Sequence, residues 1–446
     1  MADFQIECFQ NEFLPRGGRV MHAVLTVGAS GTAAATGPEV TEERTELLIV
    51  DTSGSMNGKK LRSAKAATAA AIECIPDGVG FGVIAGNHQA RLAVPLAASS
   101  PESRSTAKAA VKEFEAGGGT AIGSWIRLAA SVLGDAPGLR HAILLTDGKN
   151  ESEEPEVLEQ ALADAEGALQ CDCRGVGDGW DVGELRRVAT ALRGTYDIVA
   201  DPEGLEQDFS AMLRASLLRQ VADITLRVWT PQGAEVVALK QMEPPLDLTG
   251  SRTDAGALIG EYATGSWGDE SRDFYLSVRV PAGEVGDKML AARVTLVLAG
   301  EAMGQALVTA EWTEDAAKST RMNKRVAEAI GEGELADAIQ QGVDAHRAGD
   351  IEAATDRFGK AVRMASESGN EDALQRLSKL VDIDDPVTGR VRPKAKVEKV
   401  DVMTLETRST RTSRNPRPGM PEDRPGMPEE APGMPEEAPS MPEEAL

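Results

Sequence analysis

The sequence is poor in cysteine, histidine and aromatic residues, and it contains no long apolar run. Its four cysteines fit no zinc-ribbon spacing, and Cys171 and Cys173 alternate within a strand-like stretch, so we expect buried or half-buried thiols. Its four histidines stand in no Ser-His-Asp or Cys-His pattern, which argues against a hydrolase. No segment approaches a membrane span, and the first residues lack the basic start and apolar core of a signal peptide. We therefore expect a cytoplasmic protein that is not an enzyme.

The net charge of the chain argues against some classes of binding partner. Acidic residues outnumber basic ones 71 to 47, which gives a net charge of −24. Such an excess argues against nucleic acid or an anionic membrane as a general partner. Hydrophobic residues make up 41% of the 446 residues, enough for substantial cores in two or three domains.

One stretch carries the strongest chemical signal. Residues 47–50 (Leu-Leu-Ile-Val) have the composition of a buried parallel strand, and Asp51, Ser53 and Ser55 follow directly, before an alanine-rich helix over 59–75. In open α/β sheets ligands bind at the carboxyl ends of strands. Two hydroxyls and a carboxylate in such a turn are oxygen ligands of the kind that Mg²⁺ prefers.

Two further stretches offer partners for this turn. A triple glycine at 117–119 presents Thr120 just before an apolar helix, and a second buried strand over 141–146 ends in Asp147 and a glycine. Both stretches are therefore candidates to complete the set of oxygen ligands that the first turn begins.

The three motifs together resemble the von Willebrand factor type A family over roughly residues 44–216, and the intracellular bacterial members in particular. In that family the five side chains form a metal-ion-dependent adhesion site. The resemblance implies that Ser53, Ser55 and Thr120 bind Mg²⁺ (or Mn²⁺) directly. It also implies that Asp51 and Asp147 act through water or by hydrogen bonds to the coordinated hydroxyls.

This ligand set has a physical consequence for function. A dication held chiefly by neutral hydroxyls keeps much of its charge, and it therefore seeks a carboxylate from outside. We expect a Mg²⁺-dependent protein-binding module that captures a Glu or Asp of a partner. The alternative is an adaptor subunit of an ATPase or of a metal-inserting enzyme complex.

Two other chemistries fit the central stretch less well. Phosphatases of the haloacid dehalogenase type need a second Asp two residues after the first, where this chain has Ser53. A phosphate loop would need one more residue between Gly54 and Gly58, and a Ser or Thr after the Gly-Lys pair.

The flanking segments predict the rest of the architecture. Strands alternate with helices over 44–219, which predicts a doubly wound, mostly parallel sheet. Alternating apolar runs separated by turns predict an antiparallel β-sandwich over 220–315. Because that region is short for a complete sandwich, we expect strands from residues 1–43 to join it, with the α/β domain inserted between. Residues 316–385 are helical by pattern, with one turn similar to a tetratricopeptide helix pair.

The last 61 residues predict disorder. Residues 386–417 are rich in Lys and Arg, and 418–446 repeat the seven-residue unit Pro-Gly-Met-Pro-Glu-Glu-Ala with variations. One hypothesis is that a repeat glutamate (Glu429, Glu436 or Glu443) is itself the carboxylate that occupies the metal site, in the same or a neighbouring copy.

Overall fold

A computed structural model describes residues 3–32, 43–134, 136–222 and 224–409. The first of these ranges holds three strands. The strands are β1 (Asp3–Gln10), β2 (Phe13–Pro15) and β3 (Val20–Ser30). β1 and β3 pair antiparallel along the whole length of β1, as their alternating apolar and polar residues predict.

An α/β domain follows. Its strands are β4 (Arg44–Asp51), β5 (Gly80–Gly86), β6 (Ala90–Ala98), β7 (Leu139–Thr146), β8 (Gln170–Val176) and β9 (Tyr196–Val199). Its helices are α1 (Lys59–Cys74), α2 (Pro101–Lys112), α3 (Ile122–Leu133), α4 (Pro155–Ala165), α5 (Val182–Ala191) and α6 (Leu205–Leu217). Short 3₁₀ turns lie at Gly54–Met56 and Pro202–Gly204.

The six strands form one mixed sheet in the order β6-β5-β4-β7-β8-β9. All neighbours are parallel except β6, which runs antiparallel to β5. Side chains of β4 alternate between two cores: Leu47 and Ile49 pack with α3, α4 and α5, and Leu48 and Val50 with α1, α2 and α6. Because both faces are covered, the strand is apolar throughout rather than alternating. The prediction of a doubly wound, mostly parallel sheet is confirmed.

Eight strands and their turns follow the α/β domain. They are β10 (Thr225–Trp229), β11 (Glu235–Gln241), β12 (Leu246–Asp247), β13 (Thr253–Gly256), β14 (Ile259–Ala263), β15 (Glu270–Arg279), β16 (Lys288–Leu298) and β17 (Glu301–Thr313).

These strands and the N-terminal ones build two sheets around one core. The first has the order β1-β3-β15-β11-β12 and the second β13-β14-β10-β16-β17-β2. Phe274 and Leu276 of the first sheet share a core with Leu296 and Val308 of the second. β3 pairs with β15 over ten residues, so the α/β domain is inserted into this sandwich between β3 and β10.

The remaining elements form a smaller α+β unit. They are α7 (Ala316–Ser319), α8 (Lys324–Arg347), α9 (Ile351–Glu367), α10 (Glu371–Leu377), β18 (Val381–Asp385), β19 (Arg390–Pro393) and α11 (Lys399–Thr407). α8 and α9 turn back on each other at Gly349, which has φ +76°. The first turns of α8 pack Val326 and Ala329 against Val24 of β3, which docks the helix pair on the sandwich.

The prediction of disorder from residue 386 is wrong as far as residue 409. β19 pairs with β18, and α11 buries Val402, Met403 and Leu405 between the α/β domain and the helix pair. The high content of Lys and Arg concealed this apolar stripe, and Arg408 is paired with the buried Asp197 rather than solvated. The repeat region, with Glu429, Glu436 and Glu443, lies outside the described residues.

Each helix of the described residues is too short or too polar to serve as a membrane span. All four cysteines are free thiols, and Cys171 and Cys173 are fully buried in β8, as predicted.

Candidate metal centre

Asp51 ends β4 and organises the turn that follows it. Its Oδ1 accepts the Ser53 N–H at 2.7 Å, and its Oδ2 accepts the Thr146 hydroxyl at 2.6 Å and the Asp147 N–H at 3.4 Å. The carboxyl group is buried, and that burial raises its pKa, although the hydrogen bonds from Thr146 and Ser53 oppose the rise. Asp51 therefore ties the first turn to the end of β7.

The two serines and Asp147 form a chain of oxygens. Ser53 Oγ and Ser55 Oγ are 3.0 Å apart, and the Ser55 hydroxyl donates to Asp147 Oδ1 at 2.6 Å. Ser53 and Asp147 are buried, whereas Ser55 is exposed. The chain thus leads from the interior of the sheet edge to its surface.

Thr120 reaches the same place from the glycine loop. The loop is fixed to the first turn by two backbone bonds, from the Gly54 N–H to the Gly118 carbonyl at 2.8 Å and from the Gly117 N–H to the Thr52 carbonyl at 2.9 Å. A Cβ placed on Gly148 would lie 2.6 Å from Thr120 Oγ1 and 3.5 Å from Ser55 Oγ. The hydroxyls of Thr120 and Ser55 therefore lie against Gly148, in a space that only glycine leaves open.

Glycine is required within the loop as well. Gly118 has φ +76°, and a Cβ there would lie 2.1 Å from the ring nitrogen Nδ1 of His88. Any other residue would be strained and would collide with the imidazole. The close approach of these two loops is what brings Thr120 to the sheet edge.

All five predicted residues (Asp51, Ser53, Ser55, Thr120 and Asp147) thus lie at one edge of the sheet. The group offers three hydroxyl oxygens and two carboxylates, an all-oxygen set of the kind that suits a small hard cation such as Mg²⁺. Among the described residues, no group of three or more His, Cys, Asp or Glu side chains is placed so that it could hold a metal ion. The residues fit a metal ion of the Mg²⁺ type.

Sequence reasoning missed one charged member of this group. Lys60, in the first turn of α1, donates from Nζ to Asp147 Oδ2, and its side chain is 30% exposed. A signal was present in the sequence. Lysine is unfavourable in the first turn of a helix, where the macrodipole is positive, and α1 begins with two lysines and no acidic residue.

The amino edge of the same sheet holds a second group of charges, also missed. His141 of β7 lies between two carboxylates, with Nδ1 2.6 Å from Glu46 Oε2 and Nε2 3.0 Å from Asp172 Oδ2. Burial lowers the His141 pKa, but the two carboxylates outweigh it and raise the value to about 9. We call Glu46, His141, Asp172 and Arg44 the amino-edge network.

The charged groups of the amino-edge network are buried and pair with one another. Glu46 Oε1 accepts from Arg44 Nε at 2.6 Å, and Arg44 also donates to the carbonyl of Arg219, in the segment that leads to the sandwich. Burial opposes the ionisation of Glu46 and Asp172, yet His141 and the nearby arginines hold both carboxyl pKa values below their ordinary range. Its carboxylates are thus compensated from within the chain.

Comparison with known proteins agrees with this architecture. A family model for the von Willebrand factor type A domain matches residues 46–198, and one for the von Willebrand factor type A C-terminal domain matches residues 363–409. The second match covers α11, the helix that composition had assigned to a disordered linker.

Three relatives show how far the similarity extends in sequence and in structure. The chain is 44% identical to a solved structure, von Willebrand factor type A from Catenulispora acidiphila, with a TM-score of 0.86 over 93% of this chain and 97% of that one. The ArnB paralog VWA2 from Sulfolobus acidocaldarius shares the fold at 15% identity, with a TM-score of 0.56 over 92% of this chain and 98% of that one. An uncharacterized protein of Synechocystis sp. is 27% identical over 158 residues, which are 35% of this chain and 37% of that relative's length.

With a 44% identical relative aligned over almost its whole length, the chain belongs to the von Willebrand factor type A family.

Proposed function

We propose that this protein is a non-catalytic, Mg²⁺-dependent binding module that captures a Glu or Asp side chain of a partner protein. Domains of this family are commonly protein-interaction modules. The observation that carries the proposal is the meeting of Ser53, Ser55 and Thr120 hydroxyls beside Asp147 and Asp51 at one sheet edge. These five side chains would form a metal-ion-dependent adhesion site.

The composition of the site supports an external carboxylate as the ligand. The Ser and Thr hydroxyls are neutral, and both Asp side chains are already engaged in hydrogen bonds within the chain. A bound dication would therefore keep much of its charge, which favours an anionic oxygen from outside. Ser55 is exposed, so a partner can approach the group from solvent.

Mg²⁺ is the ion we propose, with Mn²⁺ as a substitute, since carboxylate, hydroxyl and water ligands suit both. We propose a cytoplasmic location. Support comes from the four free thiols, because a reducing compartment keeps cysteines unpaired.

Binding rather than catalysis fits the state of His141, a buried histidine whose pKa of about 9 keeps it protonated near neutral pH. It lies at the opposite edge of the sheet with both ring nitrogens bound to carboxylates.

Titration calorimetry with MgCl₂ and MnCl₂ tests the proposal. We expect the wild-type chain to bind one ion and the double variant Ser53→Ala/Thr120→Ala to bind none, since two of the three hydroxyls are lost. Ser131→Ala, on the exposed surface of α3, is the matched control and should bind as the wild type does. No binding by the wild type, either of the ion alone or together with an acidic peptide, would contradict the metal-dependent function and leave only the fold.

The source of the carboxylate remains open to a second test. The repeats at 418–446 carry acidic residues on the same chain, so a repeat glutamate could occupy the site in competition with a partner. Deleting residues 418–446 should then tighten Mg²⁺-dependent binding of an acidic peptide, because the internal competitor is gone. Unchanged affinity would exclude the tail as a ligand.

A further inference from the structure

Lys60 differs from its neighbour Lys59 in where its charge is placed. Both lie in the first turn of α1, but Lys59 reaches outward to the exposed Asp201 and Glu203, at 3.5 and 2.9 Å. Lys60 turns inward to Asp147, whose side chain is completely buried. The positive charge of Lys59 thus lies outside the candidate metal centre, and that of Lys60 lies at the centre.

The position of Lys60 is close to the oxygens that would hold the ion. It binds Asp147 Oδ2, while Oδ1 of the same carboxylate accepts the Ser55 hydroxyl at 2.6 Å. One carboxylate therefore separates the ammonium group from the hydroxyl set. At such separations, and beside a carboxylate that is completely buried, charges interact strongly.

We propose that Lys60 is a built-in counter-charge that weakens metal binding by itself and couples it to binding of the external carboxylate. This inference rests on the proposed metal-dependent function. Without Lys60, the formal charges of the two aspartates would equal that of a divalent ion, even though neutral hydroxyls are its proposed direct ligands. With it, the loaded site keeps an excess of one positive charge, which a partner's carboxylate neutralises.

Coupling of this kind is reciprocal. If the carboxylate raises the affinity for the ion, the ion raises the affinity for the carboxylate by the same factor. Lys60 then makes the empty protein a poor metal binder and the metal-loaded protein a strong acceptor of an acidic side chain.

Three variants separate the charge of Lys60 from its hydrogen bond. Lys60→Gln keeps a donor and removes the charge, Lys60→Arg keeps the charge, and Lys59→Gln removes an equal charge from the same helix turn. We expect Lys60→Gln to raise the Mg²⁺ affinity at least about tenfold in titration calorimetry. Lys60→Arg and Lys59→Gln should stay within about twofold of the wild type, since the inward charge is unchanged in both.

A second measurement tests the coupling. Replacing chloride by acetate at constant ionic strength should raise the Mn²⁺ affinity of the wild type, and raise it less in Lys60→Gln. Should Lys60→Gln unfold, Lys60→Arg still tests the coupling: acetate must strengthen Mn²⁺ binding in this variant as it does in the wild type, and no strengthening in either would overturn the proposal.

The outcomes distinguish this inference from the function on which it rests. Metal binding by the wild type that is equal or weaker in Lys60→Gln would overturn the inference alone, because Lys60 would then only position Asp147. Absence of metal binding in the wild type and in Lys60→Gln would overturn the inference and the proposed function together.

Discussion

The two edges of the six-stranded sheet handle buried carboxylates in opposite ways. At the amino edge, Glu46 and Asp172 face His141 and Arg44, and the charges balance within the chain. At the carboxyl edge, Asp51 and Asp147 have Lys60 as their nearby cation, and their other partners are hydroxyls and backbone N–H groups.

The difference separates a structural charge cluster from a candidate binding site. Buried charges that are paired within the chain fix the geometry of the elements that carry them, whereas incompletely compensated ones leave room for an ion or ligand. The amino-edge network also reaches Arg219 and Ser216, so it ties the sheet to the segment entering the sandwich. We therefore expect stability effects at the amino edge and ligand effects at the carboxyl edge.

The largest effect should follow from breaking the amino-edge network. Asp172→Asn removes a buried carboxylate that accepts hydrogen bonds from His141 and from Thr195. The His141 imidazolium is then left with Glu46 as its carboxylate partner. We expect a loss of about 3–5 kcal/mol in the free energy of unfolding, measured with urea. Mg²⁺ affinity should not change.

Glu73→Gln provides the control for this substitution. Glu73 pairs with Lys108 on the surface, and removing that exposed pair should change stability little. Equal effects of the two substitutions would contradict the structural role of the amino-edge network.

A change of pH should have a smaller effect on the free energy of unfolding. The His141 pKa is raised to about 9 from an ordinary 6.5, so the folded state holds a proton that the unfolded chain releases. This contribution is fully present below pH 6.5 and is lost as the pH rises towards 9. Between pH 6.5 and 8.5 we expect a loss on the order of 2 kcal/mol in urea denaturation.

The pH range stops at 8.5 because the thiols of the unfolded chain are about half ionised there, and their ionisation contributes increasingly at higher pH. His141→Gln should be less stable than the wild type and should lose most of this pH dependence. A slope that persists in His141→Gln would assign the titration to another group.

The substitution Gly148→Ala should have the smallest effect on stability and a large effect on Mg²⁺ affinity. Gly148→Ala places a methyl group 2.6 Å from Thr120 Oγ1 and 3.5 Å from Ser55 Oγ, which forces the hydroxyls apart. We expect a stability loss of about 1 kcal/mol and at least a tenfold loss of Mg²⁺ affinity in calorimetry. Gly58→Ala lies nearby but meets no atom within 4 Å, so it should keep the metal affinity, although its φ of +84° makes it strained. Unchanged metal binding in Gly148→Ala would show that these hydroxyls do not hold the ion.

The sequence by itself determined the strand–turn–helix pattern of the α/β domain and brought five candidate site residues to attention. This was possible because each one lies within a few residues of an apolar strand or a glycine run, so local pattern places it at a strand end. Helix α1 begins at the predicted residue and ends one residue earlier, and β7 ends where predicted but begins two residues earlier.

Only the tertiary structure decided which charges meet. Lys60 and Asp147 are 87 positions apart, and Glu46 and His141 are 95 apart. Those contacts depend on β4 and β7 being neighbours in register, which periodicity does not reveal. The order of residues 390–407 was hidden for a related reason: α11 is too short and too rich in charge to fold alone, and it is held by burying a few apolar side chains against elements far away in the chain.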